Sequence, residues 1–238
     1  MFQYDSQLIA AAQAAPQSVA GVLNVMQTIE STCADDDGLK WFNWLYFRVT
    51  QAVEAKISLG AFTDAAWLAA LDVQFASLYF NALKDALTGS PCPGSWAALF
   101  AVRDQSSIAR IQFALAGMNA HINHDLPMAI IATCRATGTT PQHGTPQYRD
   151  YTGLNATLDS LIDTAKKALH VRLLGDPLPP VSQLEDTIAA WNLSAAREKS
   201  WITAESLWQE PSALEAVHLD VIDGLTTVIS KILLVAVP

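Results

Sequence analysis

Through most of the chain, apolar side chains recur every third or fourth residue and almost nowhere alternate with polar ones. That spacing stripes one face of an α-helix, whereas a half-buried strand needs strict alternation. Alanine and leucine dominate the stripes, which suits helix propensity. The expected fold is therefore all-α, a single domain over residues 1–238 built as a bundle of about seven helices with short connections.

Turn and cap residues punctuate the pattern. A first helical stretch from Ser6 to Thr32 should break at Pro16, and Asp35-Asp36-Asp37-Gly38 turns the chain into a helix over Leu39–Ser58. That segment carries apolar side chains around nearly its whole circumference, so it is expected at the centre. Thr63 and Asp64 offer an N-cap for a helix reaching Thr88, and Gly89-Ser-Pro-Cys-Pro-Gly94 is a loop. A long pattern from Ser95 to Leu126, interrupted near Asp104–Ser107, meets Pro127, which should break or kink it before a short helix from Met128 to Ala136. The polar loop Gly138–Arg149 is the candidate mobile lid. Helices are then expected over Asp150–Leu174, from the capping box Ser182-x-x-Glu185 to Gln209 after a stiff Pro-rich linker, and from Pro211 to Leu234.

Composition narrows the function. Hydrophobic residues at 51% and charged residues at 16% exclude a disordered chain. A formal charge of −9 with no run of Lys or Arg argues against nucleic acid or an anionic membrane surface as partner. The greasy stretch Val221–Val237 carries Asp223 and Lys231 and is too short and too charged to span a bilayer. Cys33, Cys92 and Cys134 show no CxxC spacing, and the N-terminus lacks a basic signal-type region. A cytoplasmic protein with reduced thiols is expected. No phosphate-binding or dinucleotide motif occurs, so no nucleotide cofactor is expected. The partner expected is a small-molecule substrate, with assembly into a homo-oligomer left open.

Chemistry concentrates in Gly117-Met-Asn-Ala-His-Ile-Asn-His-Asp-Leu-Pro127, where Asn119, His121, Asn123, His124 and Asp125 interrupt an otherwise apolar helix. His121 and Asp125 lie one turn apart on the same face with His124 alongside. Such a pair can act as an acid–base couple, the carboxylate orienting the imidazole. With His124 it can instead supply ligands to a divalent metal such as zinc, or simply cap the helix before Pro127. Gly117 would let a neighbouring group approach closely.

Asp72 sits in the nearly apolar run Trp67–Phe80. It either shares a solvent-facing stripe with Gln74 or is buried, in which case its pKa should rise to suit a general acid. Arg197, Trp201 and Trp208 share a face, so Arg197 either stacks on Trp201, compensates Asp72 or Asp125, or holds an anionic substrate group. Trp41, Trp44, Tyr46, Tyr79 and Trp201 are either plain core or the lining of an apolar cavity. His143 is placed to close over a site, while His170 and His218 read as helix-surface residues.

The run Gly117-Met-Asn-Ala-His-Ile122 followed by Asp125-Leu-Pro127 resembles the hallmark of a widespread helical family of unassigned function. Asp37-Gly38, Trp41–Thr50, Phe62-Thr-Asp64, Val73–Tyr79, Asp150-Tyr151 with Asn155, and Ala196-Arg197 with Trp201 extend the resemblance over most of the chain. The sequence is also similar to fungal members of that family that cyclise or rearrange an epoxide on a prenyl side chain in quinolone-alkaloid biosynthesis. That similarity implies an enzyme of secondary metabolism with Asn119, His121 and Asp125 at its core.

The expectation is thus acid- or metal-assisted opening of an epoxide in a largely apolar metabolite. His121, Asp125, Asp72 and Arg197 are the catalytic candidates, and Asn119, Trp41, Tyr79 and Trp201 the substrate-binding ones. A metal-dependent hydrolase and a non-catalytic ligand-binding or scaffold protein are the alternatives.

Overall fold

A computed structural model describes residues 2–172 and 192–236, and among these every regular element is a helix. Helices α1 (Asp5–Ala12) and α2 (Val19–Thr32) flank Pro16, and the Ser18 side chain caps α2 by accepting from the Gly21 N–H. Helix α3 (Gly38–Ser58) starts at Asp37, whose carboxylate accepts from the Leu39 N–H at 2.9 Å. Asp37 is wholly buried and also holds Arg103, which bridges on to Asp5 at 2.8 Å. Removing one member of this buried ion network would leave an uncompensated charge.

Helix α4 (Ala65–Thr88) begins at Asp64, as the cap signal predicts, and ends in left-handed Gly89. Asp150 accepts from the N–H groups of Thr63 and Asp64, tying this start to a distant part of the chain. Helix α5 (Gly94–Phe100) and α6 (Arg110–Ala120) flank the expected interruption. Around Pro127 the regular helix is interrupted, as expected: residues His121–Asp125 form a π-turn, and a short helix α7 (Leu126–Thr137) restarts with Pro127 in its first turn. The wider turn accommodates a proline whose missing N–H and ring an α-helix interior could not.

Helix α8 (Pro146–Gly153) and α9 (Asn155–Arg172) replace the single helix expected from Asp150. Helix α10 (Leu193–Gln209) and α11 (Ser212–Leu233) complete the bundle. The expected Pro-rich linker and the Ser182–Glu185 capping box lie outside the described residues, as does the side chain of His170.

Helix α3 runs through the middle, burying Trp41, Phe42, Leu45, Tyr46, Val49 and Val53 in one continuous core. A Cβ on Gly117 would lie 2.4 Å from Phe42, so glycine is what lets α6 meet α3 this closely. That places the polar end of α6 beside the aromatic ridge of α3. Among the described residues no helix is long and apolar enough to cross a membrane.

Candidate active site

The π-turn turns His121, His124 and Asp125 inward together. In a regular α-helix the adjacent pair would diverge by about 100°; here all three are buried. The Asp125 carboxylate collects three donors. His121 Nδ1 and Trp96 Nε1 both reach Oδ2 at 2.9 Å, and His124 Nδ1 reaches Oδ1 at 2.7 Å. Burial alone would raise the Asp125 pKa, but the two imidazole hydrogen bonds hold it below the usual carboxylate value. Trp96 carried no sequence signal linking it to Asp125, since the pairing spans 29 residues and depends on how α5 docks.

With Nδ1–H given to the carboxylate, a neutral His121 carries its lone pair on Nε2. That atom is buried and has no hydrogen-bond partner. Burial outweighs Asp125 and lowers the His121 pKa, keeping the ring neutral. Phe75 stacks on the imidazole, and Tyr46, Phe42, Trp96 and Tyr79 surround it at centroid distances of 4.4 to 6.3 Å. His124 behaves oppositely: burial lowers its pKa, but Asp125 and Asp223 more than offset that and raise it. Asp223 in turn accepts from the N–H groups of Gly94 and Ser95 at the start of α5.

Asp72 is buried, 8% exposed, while Gln74 faces solvent, so the reading in which the two share an outer stripe is overturned. Desolvation, with a smaller push from Glu54, raises its pKa to about 7. Asp72 lines a cavity of about 40 Å³ together with Tyr46, Phe75, Leu71, Leu126 and Arg197. Its Oδ2 is buried without a hydrogen-bond partner, and the Tyr46 hydroxyl is buried beside the Thr50 hydroxyl on the next turn of α3. Unsatisfied buried polar groups are rare in folded proteins, and Asp72 Oδ2 and His121 Nε2 are two of them.

Other candidates are placed elsewhere. Asn119 is a brace: its amide donates to Thr226 O and Ser230 Oγ, both at 3.0 Å, and accepts from Asn123, tying α6 to α11. Trp41 lines a separate cavity of about 200 Å³ beside Arg110 and Phe113, away from Asp72 and His121. Trp201 packs among Trp67, Tyr148 and Tyr151, not against Arg197. Tyr79 stays close, its hydroxyl reaching Asn43 at 3.4 Å.

Arg197 reaches the cavity wall but lies over the Tyr151 ring at 3.9 Å. It donates to Tyr151 O at 2.7 Å and Asn155 Oδ1 at 2.8 Å. The expected stacking on Trp201 and the compensation of Asp72 or Asp125 give way to this structural role. The His143 loop is latched, with the imidazole between Glu205 and Glu198 of α10 at 2.7 and 2.9 Å.

The three metal candidates do meet, but as one hydrogen-bonded imidazole–carboxylate–imidazole chain. Both carboxylate oxygens are committed to N–H donors. Among the described residues no three His, Cys, Asp or Glu side chains are arranged to hold a metal ion.

A family model of unknown function, DUF5995, matches residues 19–236. The chain belongs to that family. Its model includes the π-turn, both walls of the cavity and the whole of α11. Comparison with curated proteins finds no match, and comparison with solved structures finds none either.

Proposed function

We propose that this DUF5995 member is an enzyme that opens an epoxide, or a comparably strained ether, in a largely apolar small molecule by paired acid and base groups. One observation carries the reading. Asp72 lies one helical turn before Phe75, whose ring stacks on His121, and their surroundings shift the two oppositely, Asp72 towards the neutral acid and His121 towards the neutral base. Opposed shifts of that kind support this division into proton donor and proton acceptor.

In this reading the Asp72 O–H bond breaks, its proton passes to the epoxide oxygen, and the carbon–oxygen bond opens. A hydroxyl of the same molecule forms the new ether bond at the cationic carbon and gives its proton to His121 Nε2. Exchange of that proton with solvent as the product leaves returns His121 to the base and Asp72 to the acid, so substrate and product are isomers. Aromatic faces around His121 favour the developing cation, and Asp125 keeps Nε2 as the acceptor. The aliphatic cavity lining suits a prenyl-type chain, in keeping with the similarity to the fungal quinolone epoxide cyclases. The cavity admits the reacting group but no whole metabolite of that kind, so binding requires the Tyr46–Phe75 wall to yield.

A prenylated arene carrying a 2,3-epoxide and a free hydroxyl, incubated with the purified chain, tests this. The expected result is a cyclised isomer of unchanged mass, formed at least about 100-fold more slowly by folded Asp72→Asn and His121→Ala. Turnover indifferent to Asp72→Asn would overturn the assignment. Tight binding with no conversion would give the cavity to a ligand-binding role.

A further inference from the structure

Helix α11 turns one face into the core, where Thr226, Ser230 and Leu233 are buried, and leaves a second apolar face uncovered. Leu214, Val217, Val221 and Leu225 lead into this stripe from one end. Val235, Ile232 and Val228 lead into it from the other, and each of the seven is more than half exposed. Monomers scatter single apolar residues over their surface, but a continuous stripe along a 22-residue helix marks an interface.

The spacing identifies the occupant. Counted from Leu214 the steps are three, four and four, ending at Leu225. Counted back from Val235, which lies just past the helix end at Leu233, they are again three, four and four, ending at Gly224, and within the helix the mirror runs from Val217 to Ile232. The stripe therefore maps onto itself when the helix is reversed about the Gly224–Leu225 bond, as a two-fold, self-complementary contact requires. Its mean step of about 3.5 residues is that of helices packed side by side.

Gly224 is the second observation. Glycine is the poorest helix former after proline, and a Cβ built there meets nothing within 4 Å, so among the described residues no close contact calls for it. At the centre of a reversed helix pair, it leaves the gap that Leu225 of the other copy fills.

Charge agrees. Glu215 and Asp220 lie in the first half of α11 and Lys231 in the second, while Asp223 at the middle is turned inward onto Gly94 and Ser95. Antiparallel pairing sets acidic half against basic end and opposes the helix dipoles, whereas parallel pairing aligns like with like. The same acidity disfavours a membrane surface, whose interfacial helices carry Lys and Arg on the polar face. The uncovered apolar area is on the order of 600 Å² per copy, near the ~800 Å² that each partner buries in a standard interface.

We infer that the chain forms an antiparallel two-fold dimer through the outer face of α11, with Val221 of one copy against Val228 of the other across the Gly224–Leu225 centre. Sedimentation velocity on the full chain should give twice the chain mass at micromolar concentration. Val221→Glu with Leu225→Glu should halve that mass while the helical circular dichroism stays unchanged. In a Cys92→Ser background, oxidised Val221→Cys/Val228→Cys should link into a covalent dimer, while either single cysteine should not. A monomer at all concentrations up to about 100 µM, a dimer indifferent to the glutamates, or self-linking of Val221→Cys alone would each overturn the inference. So would wild type that floats with neutral phosphatidylcholine vesicles while staying monomeric.

Discussion

Phe75 lies flat on the imidazole of His121, with ring centroids 3.4 Å apart and planes 6° from parallel. This one contact closes the aromatic box around the base and separates it from the cavity that Asp72 lines. Phe75→Ala should merge the two spaces and cost about 2–3 kcal/mol of stability, somewhat below a fully buried phenylalanine because Phe75 is half-buried. Water admitted to the ring should move the His121 pKa back up towards the ordinary imidazole value. Chemical denaturation and the ring-proton NMR titration of His121 measure both, and an unmoved titration would contradict the sealing role.

Asp72 makes stability depend on pH. Its folded pKa of about 7 exceeds the ordinary 3.8 because the charged form is desolvated. Between those values the folded chain holds a proton that the unfolded chain has released, so stability falls as pH rises from about 4 to 7 and levels off above. The Asp72→Asn variant lacks this slope. Denaturant unfolding of both proteins at unit steps from pH 4 to 8 should show wild type losing up to about 4 kcal/mol relative to the variant. Parallel curves would mean that Asp72 titrates normally.

Asn119 separates architecture from chemistry. Asn119→Ala strands the donors and acceptors that tie α6 to α11 and should cost about 1–3 kcal/mol. Because the side chain does not reach the Asp72 cavity, kcat should stay within about threefold of wild type once the protein is folded. A large loss of kcat with stability intact would return Asn119 to the substrate-binding set.

The His143 latch should be pH-sensitive in the other direction. Hydrogen bonds that the His143 ring donates to Glu198 and Glu205 raise its pKa, so the cationic clamp holds at mildly acidic pH and loosens as pH rises through that raised value. Tyr148, whose hydroxyl donates to Glu198, completes its surroundings. Amide exchange across residues 138–145, corrected for intrinsic rate, should speed up over that rise in wild type and be fast throughout in His143→Ala. Equal protection in the two proteins would show that the backbone alone orders the loop.

Much of the scaffold was legible without coordinates. The turn before α3, the cap at Asp64, the break at Pro16, the interruption before Arg110 and the central place of α3 all follow from local chemistry: side chains that satisfy helix-end N–H groups, a ring that fixes φ, and an apolar circumference. The His121–Asp125 pair was legible for the same reason, since one helical turn brings the two together whatever surrounds them.

What folding in three dimensions decided was burial and partnership across long separations. Whether Asp72 faces water or the core, whether Arg197 lies on Trp201 or Tyr151, and whether Asn119 binds substrate or braces α11 are set by how helices distant in sequence dock. The periodicity of a single helix fixes its faces but not what each face meets. The π-turn belongs here too. Pro127 signals a disturbance in the helix, but only the docking of Trp96 and the rings of α3 and α4 against it determined that the disturbance turns inward, because the wide turn is stabilised by the buried hydrogen bonds that Asp125 makes there.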